Sequence, residues 1–404
     1  MAHSDSSFPL GSLRQRRTVS LLIIYGSALL LLVSVIPTTE GRSFTSIFSF
    51  GDSIADTGNL YFSSQPPPSH KCFRHPYGKT FFGHPVGRCS DGRLIIDFIA
   101  ESLEIPWVKP YLGIKNGQVK NWNKEEEGVN FAVAGATALD QSFFQERGIT
   151  VPTNDSLTVQ LGWFKELLPS LCNSSSSCKK VLGKSLFLVG EIGGNDFNHP
   201  FALRMKLSEV EVYVGPVISV ISSTIKELIH LGAQTLIVPG NFPIGCSASY
   251  LTRFQSNHKN DYDKAGCLVW LNKFVEFYNK RLQSEVNRLQ QLYPHANIIY
   301  ADYYNAALPL YHSPTEFGFT SLKACCGIGG AYNFKTSRIC GDEGVKACED
   351  PSKYINWDGV HLTEAAYRFI AKALVNGLLT TPKFDALHFN NHITTGSSYM
   401  DQSA

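Results

Sequence analysis

The sequence predicts an α/β domain in which a parallel sheet lies between helical layers. Five short runs rich in Val, Ile, Leu and Phe lack strict alternation, as strands covered on both faces do. Amphipathic stretches of helical period separate them, and that alternation argues for a parallel sheet in one domain. Several runs also stop at glycine-bearing turns, the places where open α/β sheets put their sites.

The first strand covers residues 45–50 and ends in Gly51-Asp52-Ser53, with Gly58 close behind. This reads as a buried strand opening into a tight turn that leaves the Ser53 hydroxyl at the sheet's end. The other strands are expected at 129–133, 185–190, 235–239 and 297–301. A helix is expected from Pro216 to Leu231, with Val217, Ile221, Ile225 and Leu228 on one face and Gly232 at its C-terminal end. A longer one carries Leu271, Phe274, Tyr278, Leu282, Val286 and Leu289 and stops before Pro294. The last begins after Thr363, a capping residue, and ends near Asn376-Gly377.

Two segments break this rhythm. Residues 61–93 are rich in Pro, His, Gly and Phe, and residues 302–358 hold four cysteines and many aromatics. Both read as long ordered loops that wall a pocket or pack as core, the second tied by disulfides.

At 404 residues the chain buries a substantial core, and Lys+Arg (36) nearly balances Asp+Glu (34). No strong field points to nucleic acid or an acidic partner. Arg14, Arg16 and Arg17, an apolar run from Leu21 to Ile36 and a small polar exit read as a secretory signal peptide over 1–41. An uncleaved membrane anchor is the alternative. No other segment reads as long and apolar enough to span a bilayer. A single domain is then expected over 42–380 and a polar tail over 381–404. All ten cysteines lie beyond the leader and none has Cys-x-x-Cys spacing, which disfavours a zinc site. Cys172 with Cys178, and Cys340 with Cys348, look like small closed loops. Asn154 and Asn173 stand in glycosylation sequons. These features predict secretion.

A serine nucleophile needs a base, and the base needs a group that holds its tautomer. Trp357-Asp358-Gly359-Val360-His361 stands just before the last helix, and residues three apart on one turn can hydrogen-bond. Asp358 would hold one ring nitrogen of His361 and leave the other for Ser53. An oxyanion also needs donors. Asn195, in Gly193-Gly194-Asn195-Asp196, and the backbone N–H of Gly135 both follow predicted strands. Asp52, Asp56 and Asp196 read as structural acceptors that fix turns.

These four stretches resemble, in order and over nearly the whole mature chain, the blocks of the GDSL (SGNH) hydrolases. The likeness is greatest to plant esterase/lipases of the subgroup containing acetylajmalan esterase and sinapine esterase. The first block has Ile54 where the family motif has leucine, and the match around Gly135 is the loosest. The resemblance implies a flavodoxin-like α/β/α sandwich and ester hydrolysis with no metal or organic cofactor. It implies Ser53 as nucleophile, and Asp358 and His361 as its partners. Ser53, Gly135 and Asn195 would form the oxyanion hole. The expected partner is a small-molecule or lipid ester, with no nucleic acid and no stable membrane partner. A weakly active binding or scaffold protein of the same fold is the competing class.

Other chemistries lack their residues. No Gly-x-Gly-x-x-Gly follows a strand, position 73 is Phe where a P-loop ending at Gly78-Lys79-Thr80 needs glycine, position 55 is Ala where Gly-x-Ser-x-Gly needs glycine, and no His-Glu-x-x-His occurs.

Overall fold

A computed structural model of the chain describes residues 44–63, 70–124, 126–320 and 322–384. The leader expected at 1–41, residues 42 and 43, and residues 385–404 of the expected polar tail lie outside the described residues. Seven strands form the main sheet in the order β2-β3-β1-β4-β5-β6-β9. They are β1 (Ser46–Phe50), β2 (Lys109–Pro110), β3 (Val129–Asn130), β4 (Ser185–Val189), β5 (Thr235–Pro239), β6 (Asn297–Ala301) and β9 (Thr380–Thr381). All pair in parallel except β9, which runs antiparallel to β6. Order therefore continues into the segment read from sequence as tail.

The principal helices are α1 (Ile95–Ser102), α2 (Leu157–Leu171), α3 (Ser175–Leu182), α4 (Gly194–Ala202), α5 (Val214–Leu231), α6 (Val269–Leu292), α7 (Tyr303–His312) and α8 (Glu364–Val375). Successive strand residues face opposite sides, so the sheet carries two cores. Phe48, Phe187, Leu236 and Ile298 pack with Phe164 of α2, Ile221 of α5 and Tyr278 of α6. Their sequence neighbours Ile47, Leu186, Ile237 and Ile299 pack with Ile99 of α1, Leu310 of α7 and Ile370 of α8. This is the three-layer α/β/α sandwich, and burial on both faces explains why the strands lack alternation.

The expected elements at 235–239 and 297–301 are observed with those bounds. Thr363 caps α8 by accepting from Ala366 N, and Gly232 follows α5 with φ +125°. The second expected strand is shorter than 129–133. Asn130 Oδ1 takes the Ala132 N–H at 2.8 Å, while Phe131 and Val133 still donate to Ser49 and Gly51 of the first strand and its turn. Residues 302–358 are not one long loop. Asp302 caps α7, and Tyr303, Ala306, Ala307, Leu310 and Tyr311 form its buried stripe. The aromatics obscured a helical pattern that is present in the sequence. The hydropathy expectation also needs correcting, because Leu207–Leu231, of mean hydropathy 1.4, is long and apolar enough to cross a membrane. Half of its most apolar window is buried inside the fold, so an amphipathic core helix accounts for it.

Disulfides join Cys72–Cys89, Cys172–Cys178, Cys246–Cys267, Cys325–Cys348 and Cys326–Cys340. The expected Cys340–Cys348 loop does not exist. A two-stranded ribbon, β7 (Cys326–Gly327) with β8 (Lys346–Ala347), pairs Cys326 with Ala347 in antiparallel register. That register sets Cys325 opposite Cys348. Neighbouring extended residues point to opposite sides, so Cys326 reaches Cys340 instead. The knot grips the segment that carries Asp358: Cys325 N donates to Asn356 O at 2.9 Å and Cys326 N to Trp357 O at 2.7 Å. Replacing Cys325 and Cys348 with serine should lower unfolding free energy by about 2–4 kcal/mol. Chemical denaturation under non-reducing conditions measures it; an unchanged midpoint and slope would show that the knot adds nothing.

Candidate active site

The stretches holding Ser53, Gly135 and Asn195 follow the C-terminal ends of parallel strands, and the one holding Asp358 and His361 reaches them from the start of α8. β1 ends at Phe50, and Gly51 turns the chain with φ +151°; a Cβ there would lie 2.6 Å from Gly190 O. Ala55 N and Asp56 N donate back to Asp52 O, closing the turn that presents Ser53. Asp56 accepts from the N–H groups of Gly58, Asn59, Leu60 and Ala134, binding the first stretch to the one holding Gly135. Asp196 accepts from Ala138 and Leu139 N–H at 2.8 and 3.0 Å, which ties that stretch to α4. The expectation that these aspartates fix turns agrees with this geometry.

His361 Nε2 lies 2.8 Å from Ser53 Oγ, across 308 residues of sequence. His361 Nδ1 lies 2.8 Å from Asp358 Oδ2. The other carboxylate oxygen, Oδ1, accepts from Val360 N at 2.7 Å and His361 N at 2.8 Å. Burial pushes the Asp358 carboxyl up, but the His361 charge and these hydrogen bonds outweigh it and hold the group below the usual carboxylate range. For His361, burial favours the neutral ring, yet the Asp358 charge and hydrogen bond raise it above the ordinary 6.5. The result is an ionised carboxylate, an imidazole and a hydroxyl in one line.

Gly135 and Asn195 flank the hydroxyl. Gly135 adopts φ +87°, and a Cβ would meet Pro152 Cγ at 2.7 Å, so glycine is required twice over. The N–H groups of Ser53 and Gly135 have no partner among the described residues. The Asn195 amide is engaged, donating to Ala136 O at 3.0 Å and to Asp52 Oδ2 at 3.2 Å. Burial raises Asp52 to about 7, so this longer contact is to a carboxyl that charges reluctantly.

Tyr77 was not singled out by sequence. Its hydroxyl donates to Asp358 Oδ2 at 2.8 Å, and its ring stands edge-on to the buried Trp357. Tyr77 lies between Cys72 and Cys89 in the 61–93 segment, and the bracketing cysteines were the only hint that this loop is held against the site. His70 lies near those sulfurs, but the bonded cysteines offer no thiolate to a metal.

The profile of the GDSL-like lipase/acylhydrolase family matches residues 47–374. A GDSL esterase/lipase of Arabidopsis thaliana is 53% identical over 381 residues, covering 94% of this chain and 95% of its own. The chain belongs to the GDSL-like lipase/acylhydrolase family. The sinapine esterase of Brassica napus is 52% identical over 367 residues, covering 88% of this chain and 92% of its own. A crystal structure of an α/β hydrolase enzyme from the metagenome of Lake Arreo, Spain, covers 86% of this chain at a TM-score of 0.35 and 11% identity, too slight a likeness to build on. As a GDSL enzyme the chain is a carboxylic ester hydrolase.

Proposed function

We propose that this GDSL hydrolase cleaves its ester by acyl transfer to Ser53, with His361 as base and Asp358 as the group that orients it. The observation that carries the reading is the unbroken line Ser53 Oγ–His361–Asp358, with both contacts at 2.8 Å. His361 takes the Ser53 proton as Oγ bonds to the carbonyl carbon. The same proton then goes to the departing alcohol oxygen, leaving an acyl-enzyme. Water, deprotonated by His361, repeats the addition and releases the acid. Hydrolysis of p-nitrophenyl butyrate by wild type and Ser53→Ala tests it: a silent variant supports the reading, and a variant as fast as wild type overturns it.

The oxyanion forms beside the unpartnered N–H groups of Ser53 and Gly135. The Asn195 amide joins them by trading its 3.2 Å contact with Asp52 for the charged oxygen. Asn195→Ala should therefore lower kcat about 10²–10³-fold with little change in KM. A change confined to KM would remove Asn195 from this role.

Tyr77 is a positioning residue for Asp358. Tyr77→Phe keeps the packing on Trp357 and removes only a donor to the carboxylate. With its charge less shared, Asp358 should hold the imidazolium more strongly, so the acid limb of kcat/KM should move to higher pH. An unmoved limb would make Tyr77 a packing residue.

Passage through an oxidising compartment is the reading that the cysteines support, since among the described residues none is free. Asn154 and Asn173 are both exposed, as acceptors of N-glycans must be. Expressed with its leader in a eukaryotic host, the protein should appear in the medium. A mass decrease on treatment with an N-glycosidase would mark the sequons as used; retention in the membrane fraction would favour the anchor.

A further inference from the structure

Ser53 stands at the junction of two cavities of different size and character. The smaller, about 70 Å³, is lined by Ile54, Phe242, Ile244 and Val360, and closed by Glu191 and Tyr303. The larger, about 270 Å³, is lined by His70, Pro152, His199, Tyr250 and Arg253 together with His361. Ser53, Asn195, Asn198 and Val360 border both.

The chemistry proposed above assigns the two, and this inference rests on it. His361 must reach the leaving oxygen, so the alcohol lies on the side of the nucleophile that His361 lines. The acyl chain then occupies the cavity that His361 does not line. We propose that the cleft sorts its ester by size and charge: a short acyl group in the small cavity, and a larger alcohol, neutral or anionic but not cationic, in the cavity beside His361.

The small cavity limits chain length at its far wall. The Phe242 and Tyr303 rings meet tilted by 38° with centroids 5.2 Å apart, and the Tyr303 hydroxyl donates to Glu191. The other Glu191 oxygen, Oε2, is buried with no partner among the described residues. A longer alkyl chain would have to displace this wall and cover a polar atom with methylenes. Beyond Glu191 and Tyr303 lies a void of about 10 Å³, too small for further carbons.

Charge decides the larger cavity. Arg253 Nε donates to Ser249 Oγ at 3.2 Å. No carboxylate lines this cavity, and burial lowers the His199 ring below its ordinary value, which favours its neutral form. A quaternary ammonium alcohol would meet the guanidinium with no lining carboxylate to offset it, whereas acceptor oxygens would find donors.

Two substrate series test the two halves. Across p-nitrophenyl acetate, butyrate, octanoate and palmitate, kcat/KM should fall at least ~10-fold between butyrate and octanoate. Phe242→Ala, or the milder Phe242→Leu if that variant does not fold, should narrow that gap. Acetylcholine should be hydrolysed at least ~5-fold more slowly than 3,3-dimethylbutyl acetate, its uncharged isostere, and Arg253→Gln should reduce the difference. Rates that rise with acyl length overturn the size assignment. A Phe242 variant that alters alcohol preference and not acyl preference reverses the two cavities. Equal rates on the charged and uncharged alcohols overturn the charge argument. Ser53→Ala assayed on the best substrate separates the failures: if it is silent, only the sorting fails, and if it is active, the acyl-transfer reading fails with it.

Discussion

Combining Ser53→Ala with His361→Ala should cost no more than either change alone, each lowering kcat about a million-fold. The reason is geometric. On the acyl-transfer reading Ser53 and His361 pass one proton across their 2.8 Å contact, so removing either ends the same step. The double variant should still bind ester, because the rest of the lining of both cavities and the backbone N–H groups at positions 53 and 135 survive. Single and double variants compared in kcat, with inhibition constants for a non-hydrolysable ester analogue, check this. Multiplicative losses would mean that the two residues act independently, contrary to the hydrogen-bonded line.

Asp358→Asn should lower kcat about 10⁴-fold at neutral pH. The amide has nearly the carboxylate's shape, so the fold should hold. It does not carry the charge that stabilises the imidazolium, and its NH₂ can turn to donate where a base was needed. The pH profile sharpens the prediction. On the acyl-transfer reading the neutral ring is the base, and Asp358 raises its pKa above 6.5. Activity should therefore rise with pH and reach half its plateau above pH 6.5. Without the carboxylate, burial, the largest influence on the ring, is opposed only by the weaker Asp52 charge, so its pKa falls. The midpoint of the residual activity should move to lower pH as its height falls. A midpoint that stays in place would mean that a group other than His361 governs the limb.

Much of the site was legible because its residues sit at the ends of elements with strong local signals. A run of buried β-prone residues broken by Gly51 marked the position of Ser53. Thr363 marked the start of α8 and so the approach of His361. The paired strands at 235–239 and 297–301 were legible for the same reason, since both are apolar runs bounded by turn residues. Contacts set by tertiary register were harder to read. The partner of Cys348 depends on the β7–β8 pairing, which two-residue strands barely signal in sequence. Tyr77 meets Asp358 across 281 residues through a loop with no periodicity, so nothing local announces the contact. The helix α7 lies between these cases: its stripe at 303, 306, 307, 310 and 311 is regular, but aromatics and cysteines nearby suggested a loop.

The measurement that bears most directly on the central claim is the site and rate of fluorophosphonate labelling, mapped by peptide mass spectrometry. The geometry predicts a single adduct on Ser53, formed quickly in wild type and far more slowly in His361→Ala. An adduct on another serine, or equal rates in the two proteins, would contradict it.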